Sequence, residues 1–208
     1  MKTIYFVRHG ETDWNRLGRY QGIADIPLNE LGLNQAKACG KAMKSIHIDR
    51  IISSDLNRAK VTADAINAYH NVPIKTDEGL REINFGEWET LSFEEIETGW
   101  PGMIGQMYRR PDKVKIPGGE SFHDVQKRAW AALESFINEN DDDETILVTC
   151  HGGTIRTLLC ELLHLPIGYA WNFSQGNTGI SRVFYYGMNM DDHNILNLLN
   201  DTKHIENL

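Results

Sequence analysis

Cysteine is scarce in this chain. There are three in 208 residues, Cys39, Cys150 and Cys160, an odd number at wide spacings. That excludes a disulfide framework and points to reduced thiols in a cytoplasmic setting. Basic residues are outnumbered, 21 Lys and Arg against 29 Asp and Glu, which leaves a net charge of −8. A surface of that sign is poorly suited to nucleic acid or an anionic membrane, so an anionic ligand must be drawn in by a local basic cluster. No apolar run approaches the roughly 20 residues that a bilayer span requires. The first strand-like run meets Arg8 too early for a signal peptide. What remains is a globular composition, 41% hydrophobic, at a length that fits one domain with a substantial core.

Residues 3–7, 50–53, 73–76 and 145–149 are short runs with β-branched residues and read as strands. Between them lie helical apolar spacings at 30–45 behind Asn29, at 56–69 behind Asp55 as N-cap, at 121–137 and at 153–163. This alternation predicts an α/β fold, a mainly parallel sheet with helices on both faces. Residues 182–186 and 194–199 are expected to close the sheet. The stretch 84–120 breaks the rhythm: it is rich in Gly, Pro and Trp, with helical spacing only at 93–97 and 103–110. It is expected as a short insertion over one end of the sheet, within a single domain spanning 1–208. The acidic run Glu139, Asp141, Asp142, Asp143 and Glu144 reads as a solvated turn, since it lacks the pivot glycine and spacing of a calcium loop.

In open α/β sheets ligands bind beyond the carboxyl ends of the strands. The first strand delivers Arg8 and His9 there, and the fourth delivers His151 ahead of Gly152 and Gly153. The second leads through Ser53-Ser54-Asp55 to Arg58, and the third to Arg81 and Glu82. Of these, Arg8 and Arg58 with the two histidines and the Glu82 carboxylate suit phosphoryl transfer. Guanidiniums grip equatorial phosphoryl oxygens, and an imidazole with a free ring nitrogen attacks phosphorus. A carboxylic acid protonates the departing alkoxide and then activates water. Such chemistry is mostly positioning and charge stabilisation, and it calls for no metal or cofactor.

Arg8-His9-Gly10-Glu11-Thr12, Asn15, Gln21-Gly22, Asp25-Ile26-Pro27-Leu28 and Gly32 together resemble the histidine phosphatase superfamily, in its phosphoglycerate-mutase-like branch. So do Ser53-Ser54-Asp55-Leu56-Asn57-Arg58-Ala59, Glu82 with Phe85-Gly86-Glu87-Trp88-Glu89, Pro117-Gly118-Gly119-Glu120-Ser121 and His151-Gly152-Gly153. The motifs are collinear over nearly the whole chain. The resemblance implies His9 as phosphorylated nucleophile, Arg8, Arg58 and His151 as phosphate pocket, and Glu82 as proton donor. Asn15, Gln21, Gly22 and Gly152 would complete the cradle. It further implies a metal-independent phosphatase of a small phosphorylated metabolite, in a family where homodimers are common. Thr90 departs from the pattern, standing where relatives commonly carry glycine.

Blander readings compete at several positions. His9 could be a core histidine, His151 a helix cap, and Arg58 a partner of Asp55 across one turn. Asn15 and Gln21 could be turn residues. Glu87 and Glu89 rival Glu82 as the acid. Cys150 is expected in the core, and the five tryptophans in packing, with Trp100 and Trp171 as candidate substrate walls. Arg109, Arg110, Lys113 and Lys115 could meet a second anionic group of the substrate. The short segment between Trp88 and Pro117 favours a hydrolase over a phosphoglycerate mutase. An α-ribazole-phosphate phosphatase is the leading specific alternative, since an aromatic wall around Trp171-Asn172-Phe173 and Asn177-Thr178-Gly179 would suit a nucleoside-like leaving group. A non-catalytic phospho-ligand-binding module would have lost the nucleophile or the acid, and neither is lost.

Overall fold

The computed structural model describes residues 1–140, 142–189 and 193–208; Asp141 of the acidic run lies outside them. Four strands run parallel: β1 (Lys2–Arg8), β2 (Arg50–Ser54), β3 (Ile74–Asp77) and β4 (Glu144–Cys150). Two antiparallel strands, β5 (Ile180–Tyr185) and β6 (Ile195–Asp201), extend the sheet from β1. The order is β3-β2-β4-β1-β5-β6, so β1 and β4 lie side by side in the interior.

Period-two alternation splits β1 between two cores. Ile4 and Phe6 pack on one face against α6 (Phe122–Ile137) and α7 (Gly152–Leu162), through Val125, Ala129, Leu133, Ile155 and Leu158. Tyr5 and Val7 face the other way, onto α2 (Glu30–Met43) and α3 (Asn57–Asn67), through Cys39, Met43, Ala63 and Ile66. The result is a single α/β domain with helices on both faces of a mostly parallel sheet. No helix among the described residues is long and apolar enough to cross a membrane.

Local signals account for the helix starts in part. Asn29 accepts from the Gly32 amide at 2.8 Å, and Ser121 forms a capping box with Asp124. A short α1 (Asp13–Arg16) begins with another capping box between Thr12 and Asn15. The N-cap expected at Asp55 is not there. Leu56 occupies that position without a side-chain cap, because the Asp55 carboxylate is taken up by the Arg81 guanidinium. Glu144 also departs from a solvated turn. It begins β4 in a buried position, where Lys2 donates at 2.9 Å and Arg50 at 2.6 Å and 2.7 Å. Those cations hold its pKa below the usual carboxylate range against the opposing effect of burial.

Residues 84–120 contribute α4 (Phe93–Gly99) and α5 (Met103–Arg109). They also drive Trp88, Ile96, Ile104, Met107, Val114 and Ile116 into the α6–α7 core. Cys150 is buried in that same cluster, and burial pushes its thiol pKa up.

Candidate active site

The turn after β1 is held against the start of α2. A Cβ on Gly10 would collide with the carbonyl oxygen of Gly32, so the chain passes where only glycine fits. This close passage fixes His9. Its backbone amide donates to Cys150 O at 3.0 Å, and its own carbonyl accepts from the Asn177 side chain at 3.0 Å. The His9 Nδ1–H donates to Gly10 O at 2.7 Å, which leaves Nε2 as the unprotonated nitrogen. Burial and the nearby Arg58 and Arg8 guanidiniums hold the imidazole well below its ordinary pKa, hence neutral.

Around it the strand ends converge. Arg8, His9, Asn15, Gln21, Gly22, Arg58 and Glu82 all line one cleft of about 310 Å³. The His151 ring lies 5.1 Å from that of His9, and Gly152 abuts Arg8. Arg58 is fully buried. It donates to Ala24 O at 2.7 Å and Gly22 O at 2.8 Å, not to Asp55. Burial lowers its pKa to about 10, which leaves it charged at neutral pH. Arg8 donates to Gln175 O at 2.7 Å. Arg8 Nε, Arg58 Nε and His151 Nδ1 are buried with no hydrogen-bond partner among the described residues, and the same holds for Gln21 Oε1. Buried cationic donors without partners are costly, and an anion among them relieves that cost.

His151 stands at the N-cap of α7 but does not cap it. Its Nε2 meets Ser54 Oγ at 2.9 Å. With the Ser54 hydroxyl donating, the proton resides on Nδ1, the unpartnered nitrogen. Burial, Arg58 and His9 hold this imidazole neutral too. Asn15 accepts the Thr12 amide at 3.2 Å through its Oδ1, so its amide nitrogen remains available in the cleft.

Glu82 follows β3 and is set by two neighbours. Arg128 of α6 gathers the carbonyls of Gly79, Arg81 and Glu82, each at 2.8 Å. The Glu82 carboxylate accepts from Ile83 at 3.0 Å, Gly153 at 3.1 Å and Thr154 at 3.2 Å. Oε1 takes two of these amides and Oε2 only one, so Oε2 keeps a lone pair for a proton. Of its rivals, Glu89 accepts from the Ile23 amide at 2.8 Å and shapes the loop around Gly22, and Glu87 is outside the cleft lining.

An aromatic wall completes the cleft with Trp14, Tyr20, Phe85, Phe93 and Tyr108. Trp171 stacks behind Tyr108, ring centroids 4.5 Å apart. Arg109 and Arg110 are exposed and do not line it; Arg110 is paired with Asp112 at 2.9 Å. A larger hollow of about 590 Å³ includes Arg81 and Arg128, but Asp55 and Glu120 already neutralise those two.

Sequence reasoning did not single out Ser54 as the partner of His151, nor the wall residues Tyr20, Phe85 and Tyr108. It also passed over Arg156, one helical turn beyond Gly152. Ser54 was within reach of the strand-end rule that found His9, because it is the last residue of β2. The wall carried no signal, since it assembles from three separate segments.

A family model of the histidine phosphatase superfamily (branch 1) matches residues 4–201. Phosphoserine phosphatase 1 of Hydrogenobacter thermophilus is 32% identical over 206 residues, 99% of this chain and 95% of that protein. The probable phosphoglycerate mutase GpmB of Salmonella choleraesuis is 36% identical over 185 residues, 89% of this chain and 86% of that protein. Among solved structures, a mycobacterial glucosyl-3-phosphoglycerate phosphatase complexed with VO3 has a TM-score of 0.88 at 27% identity. It covers 96% of this chain and 99% of that one.

Proposed function

The chain belongs to the histidine phosphatase superfamily, and from that premise we propose that it hydrolyses a small phosphomonoester through a phosphohistidine at His9. The observation that carries this is the state of His9: Nδ1 is committed to Gly10 O, and Nε2 is free and neutral in a cleft of cationic donors. Nε2 attacks phosphorus as the ester P–O bond breaks. Arg8, Arg58, His151 and the Asn15 amide donate to the phosphoryl oxygens as charge spreads over them. Glu82 gives its proton to the departing alkoxide. It then takes one from a water that attacks phosphorus and breaks the P–N bond, so that phosphate leaves and both groups are restored. The cleft volume of about 310 Å³ suits a small metabolite. Relatives named as phosphoserine and glucosyl-3-phosphoglycerate phosphatases support a hydrolase over a mutase for this chain.

The test is phosphate release from p-nitrophenyl phosphate in excess EDTA, wild type beside His9→Ala. Turnover should survive chelation and fall by several orders of magnitude without His9. Turnover that needs added metal, or that persists in His9→Ala, would overturn the mechanism.

A further inference from the structure

One cationic group beside the cleft has no role in the chemistry just described. Arg156 lies four residues after Gly152 on α7, so the two share a helix face, and helical side chains lean toward the N-terminus. Gly152 has no side chain to block that path. A Cβ there would stand 2.9 Å from Arg156 Nη1 and 3.5 Å from Arg8 Nε, so both guanidiniums converge on this one glycine.

Arg156 is held like a tool rather than like a structural clamp. Its Nε donates to Phe173 O at 2.9 Å, and its guanidinium lies 4.7 Å over the Trp171 ring. One edge and one face are thus fixed. Nη1 and Nη2 find no carboxylate or carbonyl among the described residues, and the side chain is only partly exposed. Burial and the repulsion of Arg8 lower its pKa to about 10, with Glu82 and Tyr108 acting the other way. Other arginines here are satisfied differently: Arg81 and Arg128 have acids, and Arg58 has two carbonyls. A half-buried, preoriented fork with no protein acceptor among the described residues fits a planar anion that arrives with the substrate.

Resting on the phosphatase reading above, we propose that Arg156 sets the substrate class. Its two terminal nitrogens hold a carboxylate on the leaving group, so the substrate is the phosphomonoester of a small hydroxy acid. Phosphoryl oxygens engage Arg8 and Arg58, and the carboxylate reaches Arg156 on the Trp171 side of the cleft. The aromatic wall of Tyr20, Phe85 and Tyr108 then packs against a short carbon chain, not a nucleoside base.

The test compares wild type, Arg156→Gln and Arg156→Lys on four esters. These are 3-phosphoglycerate, glycerol 1-phosphate (a hydroxymethyl in place of the carboxylate), a nucleoside 5′-monophosphate and p-nitrophenyl phosphate. Wild type should favour 3-phosphoglycerate over glycerol 1-phosphate in kcat/KM. Arg156→Gln should lose about 10- to 100-fold more on 3-phosphoglycerate than on p-nitrophenyl phosphate, through KM, so that the preference collapses. Arg156→Lys should restore part of it, as a point charge without the fork. Equal losses on all four esters would place Arg156 in the phosphate pocket or the fold and overturn the proposal. So would a wild type that prefers the nucleoside ester or is indifferent to the carboxylate. Should wild type release phosphate from none of them, the phosphatase reading itself falls. Calorimetric binding of 3-phosphoglycerate against glycerol 1-phosphate then still decides whether Arg156 reads the carboxylate.

Discussion

His9 and His151 are both buried, face each other at 5.1 Å, and are held neutral by burial and by the Arg8 and Arg58 charges. That arrangement should be visible in stability. In the unfolded chain each histidine takes up a proton near its ordinary pKa of about 6.5. In the folded protein neither does, so below that pH the unfolded state binds more protons and stability falls as pH falls. Between about pH 6.5 and 5 the slope averages about 1 kcal/mol per pH unit for each histidine, so the pair costs roughly 3 kcal/mol over that interval, against typical total stabilities of about 5–15 kcal/mol. The depressed carboxylates Asp55, Glu120 and Glu144 lose their contribution only at lower pH, as they titrate below the usual carboxylate range. The window between about pH 6.5 and 5 therefore reports on histidines. His70 and His204 are also depressed, but they are common to wild type and variants and cancel in the difference. The assay is urea unfolding at several pH values in phosphate-free buffer, because a bound anion would stabilise the folded state. His9→Asn and His151→Asn should each flatten the slope, and the double variant most of all, whatever their offsets at pH 7.5. Parallel curves for wild type and the double variant would refute the neutral, buried state on which the nucleophile assignment rests.

Two further outcomes follow from the geometry. Glu82→Gln should lower kcat/KM for alkyl phosphates by about 10²–10⁴-fold but cost much less with p-nitrophenyl phosphate, whose leaving group needs no proton; equal losses would remove Glu82 as the acid. Thr90 adopts φ 74°, left-handed backbone that disfavours a β-branched residue by about 1–2 kcal/mol. After the entropy cost of glycine, Thr90→Gly should raise the melting temperature by about 2–4 °C in scanning calorimetry, and an unchanged or lower value would count against strain there.

Much of this site was legible because its residues are close to strand ends in sequence. His9 follows β1 directly, and the same is true of His151 after β4. Arg58 lies in the first turn of the helix that β2 leads into. Once a parallel sheet is inferred from the alternating apolar runs, those positions are brought to one edge by topology alone. The misreadings have the opposite character. Asp55 looked like an N-cap because capping is local, yet Arg81 lies 26 residues away and outcompetes the helix for the carboxylate. Glu144 looked like part of a solvated acidic turn, yet Lys2 and Arg50 neutralise it from neighbouring strands. A charge pairing over that span leaves no trace in periodicity or composition.

The sequence by itself determined the sheet, its two helical layers and the set of residues delivered to its carboxyl edge. Apolar period and strand-end position are short-range properties that a linear chain carries intact. Tertiary structure alone decided how those residues are poised: which nitrogen of His9 is free, that Ser54 orients His151, and that Glu82 is fixed by Arg128 and the start of α7. It also decided that Arg156 shares the space over Gly152 with Arg8. Protonation state, tautomer and the absence of a partner depend on burial and on groups distant in sequence, and these exist only once the chain has closed around them.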